Sequence, residues 1–186
     1  MMQRWTGPKG IVSDILPAAP ELVASGKVVF EPGMEMSLVG FDLLLTTTET
    51  VVLPGTGTTL EIAGLPALAI LKMVAWLDRP DRIKDLGDLA RILSSCLVAD
   101  DDRRFDPSSP LFQVEYSEQS AFFVGTEIRQ RGSAHHVDIA QRFLTQLRRL
   151  DRAGFQQMLR ESALVGDDAE ERLSALLESF ERAISQ

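Results

Sequence analysis

The sequence predicts an α+β protein, and two observations support that class. Residues 1–63 contain short apolar runs separated by glycine, proline and threonine, a pattern typical of a small sheet. From Leu65 onward, apolar residues recur at helical spacing and turn residues become rare. We therefore expect an α+β domain over residues 1–97 and a helical extension over residues 98–186, which together are long enough to bury one sizeable core.

The predicted elements follow these apolar runs in chain order. Five strands are expected, at Gly10–Leu16, Lys27–Glu31, Met36–Leu45, Thr50–Leu53 and Thr59–Ala63. Six helices are expected, at Pro66–Leu77, Asp81–Cys96, Ser117–Arg131, His135–Leu150, Gly154–Glu161 and Ala169–Ile184. Pro66 suits a first helical turn, and Pro80 separates the first helix from the second, because proline lacks a backbone N–H and restrains the residue before it.

Composition excludes some classes of protein. The longest uncharged stretches run for about ten residues, whereas a membrane-spanning helix needs roughly 20 apolar residues, so no membrane span is expected. The single cysteine, Cys96, cannot form an internal disulfide, which favours a cytoplasmic location. A net charge of −8 argues against nucleic-acid binding by the overall field of the protein, so any RNA contact would be local.

Lys72 is the most unusual local feature, because it lies within an apolar helical segment. One interpretation is that its stem packs on apolar surface while its ammonium reaches water. The other is that its charge is aimed at phosphate oxygens. In the next helix, Asp85 and Asp88 are three residues apart and so share one helix face. By residue type alone, such a pair is more often solvated, or paired with neighbours such as Arg82 and Lys84, than functional.

The segments Leu65–Arg79 and Lys84–Leu93 together resemble a family. They are similar to the lysine helix and the following Lys/Arg-Asp-x-x-Asp-Leu helix of AbiEii-type nucleotidyltransferases. The resemblance implies that Lys72 contacts the triphosphate of an NTP and that an aspartate of the next helix supports the site, with Asp85 ranked ahead of Asp88. Gly10–Pro17 is similar to the strand that carries the family's third carboxylate, which implies that Asp14 is a catalytic, metal-binding residue.

The resemblance spans roughly residues 10–95 and carries expectations about fold and function. It implies a partial nucleotidyltransferase sheet packed by helices and followed by a C-terminal helical bundle. It also implies Mg²⁺ and an NTP as cofactors, an RNA acceptor, and a toxin-antitoxin context in which an antitoxin or a second copy of the chain is the partner.

One departure from the family pattern is as informative as the match. Such enzymes open with a Gly-Gly or Gly-Ser segment and an Asp-x-Asp pair, and neither precedes the lysine helix here. Two-metal phosphoryl chemistry needs paired carboxylates, which Asp14 alone cannot supply. We therefore expect the C-terminal portion of a nucleotidyltransferase, impaired in transfer as this chain stands. The alternative is a non-catalytic remnant that acts as a protein interaction module.

Several other residues are candidates of lower rank. Adjacent His135 and His136 point about 100° apart on a helix and are interpreted as surface or capping residues. The tract Asp100–Asp102 is interpreted as a solvated loop, and Cys96 as an inert packing residue. A basic strip could bind RNA, although nearby acidic residues favour a solvated helix face; its members are Arg142, Arg148, Arg149 and Arg152. An exposed apolar edge is expected near Val12, Val28 and Phe30.

Overall fold

The α+β class is confirmed by a computed structural model that describes residues 3–31 and 33–186. The strands described are β1 (Gln3–Thr6), β2 (Val12–Ile15), β3 (Lys27–Phe30), β4 (Met34–Ser37), β5 (Thr48–Val52) and β6 (Thr59–Ala63). The α-helices are α1 (Pro20–Ser25), α2 (Phe41–Thr46), α3 (Leu65–Asp78), α4 (Ile83–Ser95), α5 (Gln119–Arg131), α6 (Ala134–Leu147), α7 (Arg152–Glu161) and α8 (Ala169–Ser185).

The strands pair as three antiparallel hairpins, β1 with β2, β3 with β4 and β5 with β6. Within the described ranges these ladders form separate two-stranded sheets. A single nucleotidyltransferase sheet is therefore not confirmed and stays a prediction. No helix in the described part of the chain is long and apolar enough to cross a bilayer.

The predicted strand Met36–Leu45 is wrong from Leu38 onward. The strand ends at Ser37, and the chain then turns through Gly40, whose φ of 89° belongs to the left-handed region that favours glycine. The apolar residues that follow form α2, and Leu43 points from this helix into the main core. A short apolar run does not distinguish a strand from a helix by its periodicity, which explains the error. Strand β1 and helix α1 were not predicted.

The main core lies between helices α3 to α8. It contains the fully buried Trp76 of α3, Leu89 of α4, Phe143 of α6 and Phe180 of α8. The Trp76 and Phe143 rings meet edge to face, with their centroids 5.5 Å apart. Residues on both sides of position 97 therefore share one core, although the domain boundary expected there stays a prediction.

A second, small core lies under the hairpin β3–β4. It is built from Val28, Phe30 and Leu38, all of which are buried. The apolar edge expected near Val28 and Phe30 is therefore wrong, because alternate side chains of β3 face this core. Val12 is exposed as expected, together with Trp5 of the same hairpin.

The connection between α4 and α5 is long and is organised by one buried arginine. It contains two short 3₁₀ turns, Asp102–Arg104 and Pro110–Gln113. The Arg104 guanidinium donates hydrogen bonds to the carbonyl oxygens of Leu97, Val98 and Tyr116 at 2.7–3.1 Å. It also donates to the side-chain oxygens of Gln119 and Ser120 on α5. We call this arrangement the Arg104 hub.

Candidate functional site

Lys72 lies in the middle of α3, a helix that begins after Gly64 with Pro66 in its first turn. Its helical neighbours Ile70, Met73 and Val74 are buried in the main core. The lysine side chain retains 31% of its exposure, so it emerges at the margin of the core rather than within it. This partial exposure agrees with the interpretation in which the lysine stem packs on apolar surface at the edge of the core, and the phosphate-binding role stays a prediction.

The Lys72 ammonium is held by both aspartates of α4. Nζ donates to Oδ1 of Asp85 at 3.1 Å and to Oδ2 of Asp88 at 2.6 Å. The three residues therefore come together as the sequence predicted, and we call them the Lys72 triad. An ammonium has three N–H donors, so these two bonds leave one N–H for another acceptor.

Asp85 is the buried member of the triad, with 3% of its side chain exposed, against 28% for Asp88. Arg82 Nε lies 3.4 Å from Asp85 Oδ2, within ion-pair distance. The Arg82 N–H is not aligned with that oxygen for a hydrogen bond, and Asp85 Oδ2 has no hydrogen-bond partner among the described residues. Since an ionised oxygen is costly to bury without a donor, the cations of Lys72 and Arg82 are what hold this carboxylate in place.

The position of α4 depends on a close approach to α7. A Cβ added to Gly87, between the two aspartates in sequence, would overlap Glu161 Cβ and lie 2.9 Å from the Glu161 carbonyl oxygen. Arg91 Nε also donates to that oxygen at 3.0 Å. Helix α4 is thus fixed against α7 on one side, while Asp85 and Asp88 face Lys72 on another.

The charges within this site balance. Burial lowers the pKa of Lys72, but the hydrogen bonds from its ammonium to Asp88 and Asp85 outweigh burial, and the net direction is upward. Lys72 is therefore a stable cation at neutral pH. Counting Arg82, the site holds two cations and two carboxylates. An incoming anion would have to compete with Asp88 for the ammonium.

Asp14 lies apart from the Lys72 triad. It is on β2, directly opposite Arg4 of β1, whose guanidinium donates to both of its oxygens at 2.8 and 3.0 Å. These hydrogen bonds lower the pKa of the Asp14 carboxyl. No hydrogen bond or ion pair joins Asp14 to Lys72, Asp85 or Asp88 in the part of the chain that is described. Of the four site residues that the resemblance implies, Lys72, Asp85 and Asp88 come together, and Asp14 pairs elsewhere.

The carboxylates do not form a Mg²⁺ site as they stand. Mg²⁺ requires oxygen ligands in nearly octahedral geometry, whereas Asp14 is engaged by Arg4, and Asp85 and Asp88 are engaged by Lys72. Across residues 3–31 and 33–186 no group of three or more histidine, cysteine or acidic side chains is arranged to hold a metal. The role of Asp14 as a metal ligand stays a prediction from the resemblance.

Five of the cavities formed by described residues lie away from the Lys72 triad. They measure about 370 to 510 Å³, and none of these five is lined by Lys72, Asp85 or Asp88. The basic strip is partly neutralised, since Arg142 pairs with Asp138 at 3.1 Å and Arg148 pairs with Glu181. This pairing favours a solvated helix face over an RNA surface.

Of the two interpretations of His136, surface or capping residue, the structure shows the capping one, and the side chain is buried. Its Nδ1 accepts the backbone N–H of Ser133 at 2.9 Å, which caps α6. Nδ1 is then unprotonated, and Nε2 carries the proton and donates to Asp42 of α2 at 3.0 Å. No local sequence signal links residues 42 and 136. His135, its exposed neighbour, makes no such bond among the residues described.

Cys96 provides a prediction that depends on pH. Burial raises the pKa of its thiol to about 12, so the folded protein keeps a proton that the unfolded chain releases near pH 9. Stability is therefore complete below pH 9 and falls as the pH rises toward 12, by at most about 1.4 kcal/mol per pH unit. Denaturant unfolding of the wild type and Cys96→Ala at pH 8 to 11 checks this. Equal slopes for the two proteins would show that the thiol does not contribute.

Comparisons with protein-family models, curated proteins and solved structures found no match to the chain. The geometry of the Lys72 triad and the resemblance of its two helices are therefore the basis for any functional conclusion.

Proposed function

We propose that this chain is nucleotidyltransferase-like and that Lys72 contacts a phosphate of an NTP. The observation that carries the proposal is the partly exposed Lys72 side chain, whose ammonium uses two of its three N–H donors on Asp85 and Asp88. The remaining donor can be shared with a phosphate oxygen. The resemblance also implies that this lysine and an aspartate of the next helix belong to one site.

In this proposal the two aspartates have different roles. Asp85 is buried and holds the Lys72 stem against α4, so it is a positioning residue. Asp88 is more exposed and lies closer to the ammonium, so its carboxylate competes with phosphate. A phosphate would accept the third N–H of the ammonium, and it would compete with Asp88 for the charge of the ammonium rather than for a donor.

Transfer itself is expected to be absent from this polypeptide. No Asp-x-Asp pair precedes α3 in residues 1–186, and in-line displacement at a phosphate requires carboxylates that clamp two ions. Incubation with radiolabelled NTPs, Mg²⁺ and tRNA should leave no label on RNA or protein. Mg²⁺-dependent labelling that is lost in Lys72→Ala would contradict this prediction.

Nucleotide affinity provides the decisive mutational test. Lys72→Ala should weaken NTP binding by about 1.5–3 kcal/mol, the value of one charge-assisted contact. Asp88→Asn should strengthen binding, because it removes a competing carboxylate. Lys84→Ala is the matched control, since Lys84 is exposed on α4, and it should change little.

Isothermal titration calorimetry with each of the four NTPs measures these affinities, and thermal unfolding shows whether each variant is folded. Equal affinity for the wild type and Lys72→Ala would reduce Lys72 to a structural ion-pair residue. Weaker binding by Asp88→Asn would contradict the competition between Asp88 and phosphate.

A second candidate function, a non-catalytic interaction module, is favoured by the hairpin β1–β2. Its apolar residues Trp5, Val12 and Ile15 are all exposed, and a two-stranded hairpin is marginally stable alone. A second copy or an antitoxin pairing along β2 would satisfy its free edge. Light scattering should then show a dimer that Val12→Lys, placed on that edge, converts to a monomer. A wild-type monomer at all concentrations would remove self-association as an explanation.

A further inference from the structure

The connection from Leu97 to Glu118 displays apolar side chains on a rigid support. Val98, Phe105 and Tyr116 are exposed, and we call them the aromatic patch. The Phe105 and Tyr116 ring centroids are 6.3 Å apart. The Tyr116 hydroxyl donates to the carbonyl oxygen of Ala99, the residue after Val98, at 3.0 Å. The Phe105 and Tyr116 rings therefore lie together, and Val98 is exposed on the segment that the Tyr116 hydroxyl contacts.

The Arg104 hub explains why this surface is ordered. Its guanidinium bonds the carbonyl oxygens of Val98 and Tyr116 and lies 4.5 Å from the Tyr116 ring centroid. Long connections without regular secondary structure are usually functional or disordered. The buried Arg104 holds this connection in one conformation, while the Phe105 and Tyr116 side chains stay exposed to solvent.

The surroundings of the patch are acidic. Residues 97–118 contain six carboxylates and two arginines, a net formal charge of −4. One of the arginines is buried in the hub, and the other, Arg103, pairs with Asp101 at 2.6 Å. Asp100, Asp102 and Glu115 are exposed, and within the described chain they have no ion-pair partner. A partner for this surface must therefore bring positive charge.

A cavity of about 450 Å³ continues the surface on the far side of Tyr116. Its lining includes Glu118, Asp168 and Glu171 together with Arg104 and Arg172. Glu118 pairs with Arg182 and Asp168 with Arg172, which leaves Glu171 without an ion-pair partner among the described residues. A cavity of this size next to a small patch suits a short segment better than a broad protein face. The Glu171 carboxylate suits a lysine or arginine side chain.

We propose that the aromatic patch and this cavity form a docking site for a short basic segment of a partner protein. An apolar or aromatic residue of the segment covers Phe105 and Val98, and a flanking lysine or arginine enters the cavity toward Glu171. RNA does not fit this surface, because its phosphates would meet the unpaired carboxylates. The docking site includes no residue of the Lys72 triad, so it does not depend on the proposed nucleotide chemistry.

Fluorescence anisotropy of the full chain tests the docking site with defined probes. The first probe is a labelled peptide of about 12 residues in which lysines and arginines flank a tryptophan and two leucines. The second has glutamate at every basic position, and the third is a single-stranded RNA of equal length. We expect the basic peptide to bind and its affinity to fall as salt is raised, because the charges involved are exposed.

Two variants and a control locate the binding. The double variant Val98→Ser with Phe105→Ser should bind the basic peptide with an affinity at least about tenfold weaker, as expected for loss of an aromatic anchor. Glu171→Gln should weaken that affinity less and should reduce its dependence on salt. Val165→Ser removes another exposed apolar side chain, outside the patch, and should have no effect. No binding of the basic peptide, equal binding by the double variant, or preference for RNA or the acidic peptide would each overturn the proposal.

Discussion

Replacing Arg104 with methionine should lower the free energy of unfolding by about 3–5 kcal/mol. Methionine matches the length of the arginine stem but donates no hydrogen bonds. The carbonyl oxygens of Leu97, Val98 and Tyr116 would then lose their donor. Each unsatisfied buried acceptor costs about 1–3 kcal/mol, and some recovery by water keeps the total below their sum.

The adjacent arginine is the matched control. Arg103 is exposed and pairs with Asp101 across a tight turn, so Arg103→Met should cost no more than about 1 kcal/mol. Denaturant unfolding followed by far-ultraviolet circular dichroism measures both variants. Losses of similar size in the two variants would mean that the Arg104 hub is not what stabilises the connection between α4 and α5.

Trp76→Ala should also destabilise the protein by about 3–5 kcal/mol. Trp76 is 1% exposed, packs edge to face on Phe143, and donates from Nε1 to the Pro80 carbonyl oxygen at 3.1 Å. Its loss would leave a cavity in the main core and release the turn between α3 and α4. Because that turn positions Asp85 against Lys72, the variant should also weaken any nucleotide binding.

The other tryptophan in the sequence provides the comparison. Trp5 is 69% exposed on β1, so Trp5→Ala should change the free energy of unfolding by less than about 0.5 kcal/mol. In addition, the fluorescence emission of folded Trp5→Ala should be blue-shifted relative to that of the wild type, because only the buried Trp76 remains. A red-shifted spectrum from that variant in the folded state would contradict the burial of Trp76.

The helices were predictable because each has an apolar face that recurs over several turns. Helix α3 was expected at Pro66–Leu77 and spans Leu65–Asp78, and the proline at each boundary explains the agreement. The short elements were not predictable in the same way. In α2, six residues make fewer than two turns, and the burial of Leu43 by distant helices decides the conformation.

The site was predictable where its residues are close in sequence. Lys72 and Asp85 are 13 positions apart on consecutive helices, so the resemblance of two adjoining segments was enough to assign both to one site, although their ion pair was not predicted. Asp14 was expected at the same place but pairs with its cross-strand neighbour Arg4. Arg104 and His136 were not identified as buried, because charged and titratable residues usually lie at the surface and their partners are set by tertiary contacts.

Nuclear magnetic resonance of the Lys72 ammonium tests most directly whether it contacts a phosphate of an NTP. The lysines of the chain are Lys9, Lys27, Lys72 and Lys84, so ¹⁵N-lysine labelling gives few side-chain signals, and Lys72→Arg identifies the one of interest. On addition of an NTP, we expect a saturable shift of the Lys72 Nζ signal while that of Lys84 stays unchanged. An unchanged Lys72 signal at NTP concentrations that shift other residues would show that the ammonium serves Asp85 and Asp88 alone, and it would contradict the proposed function.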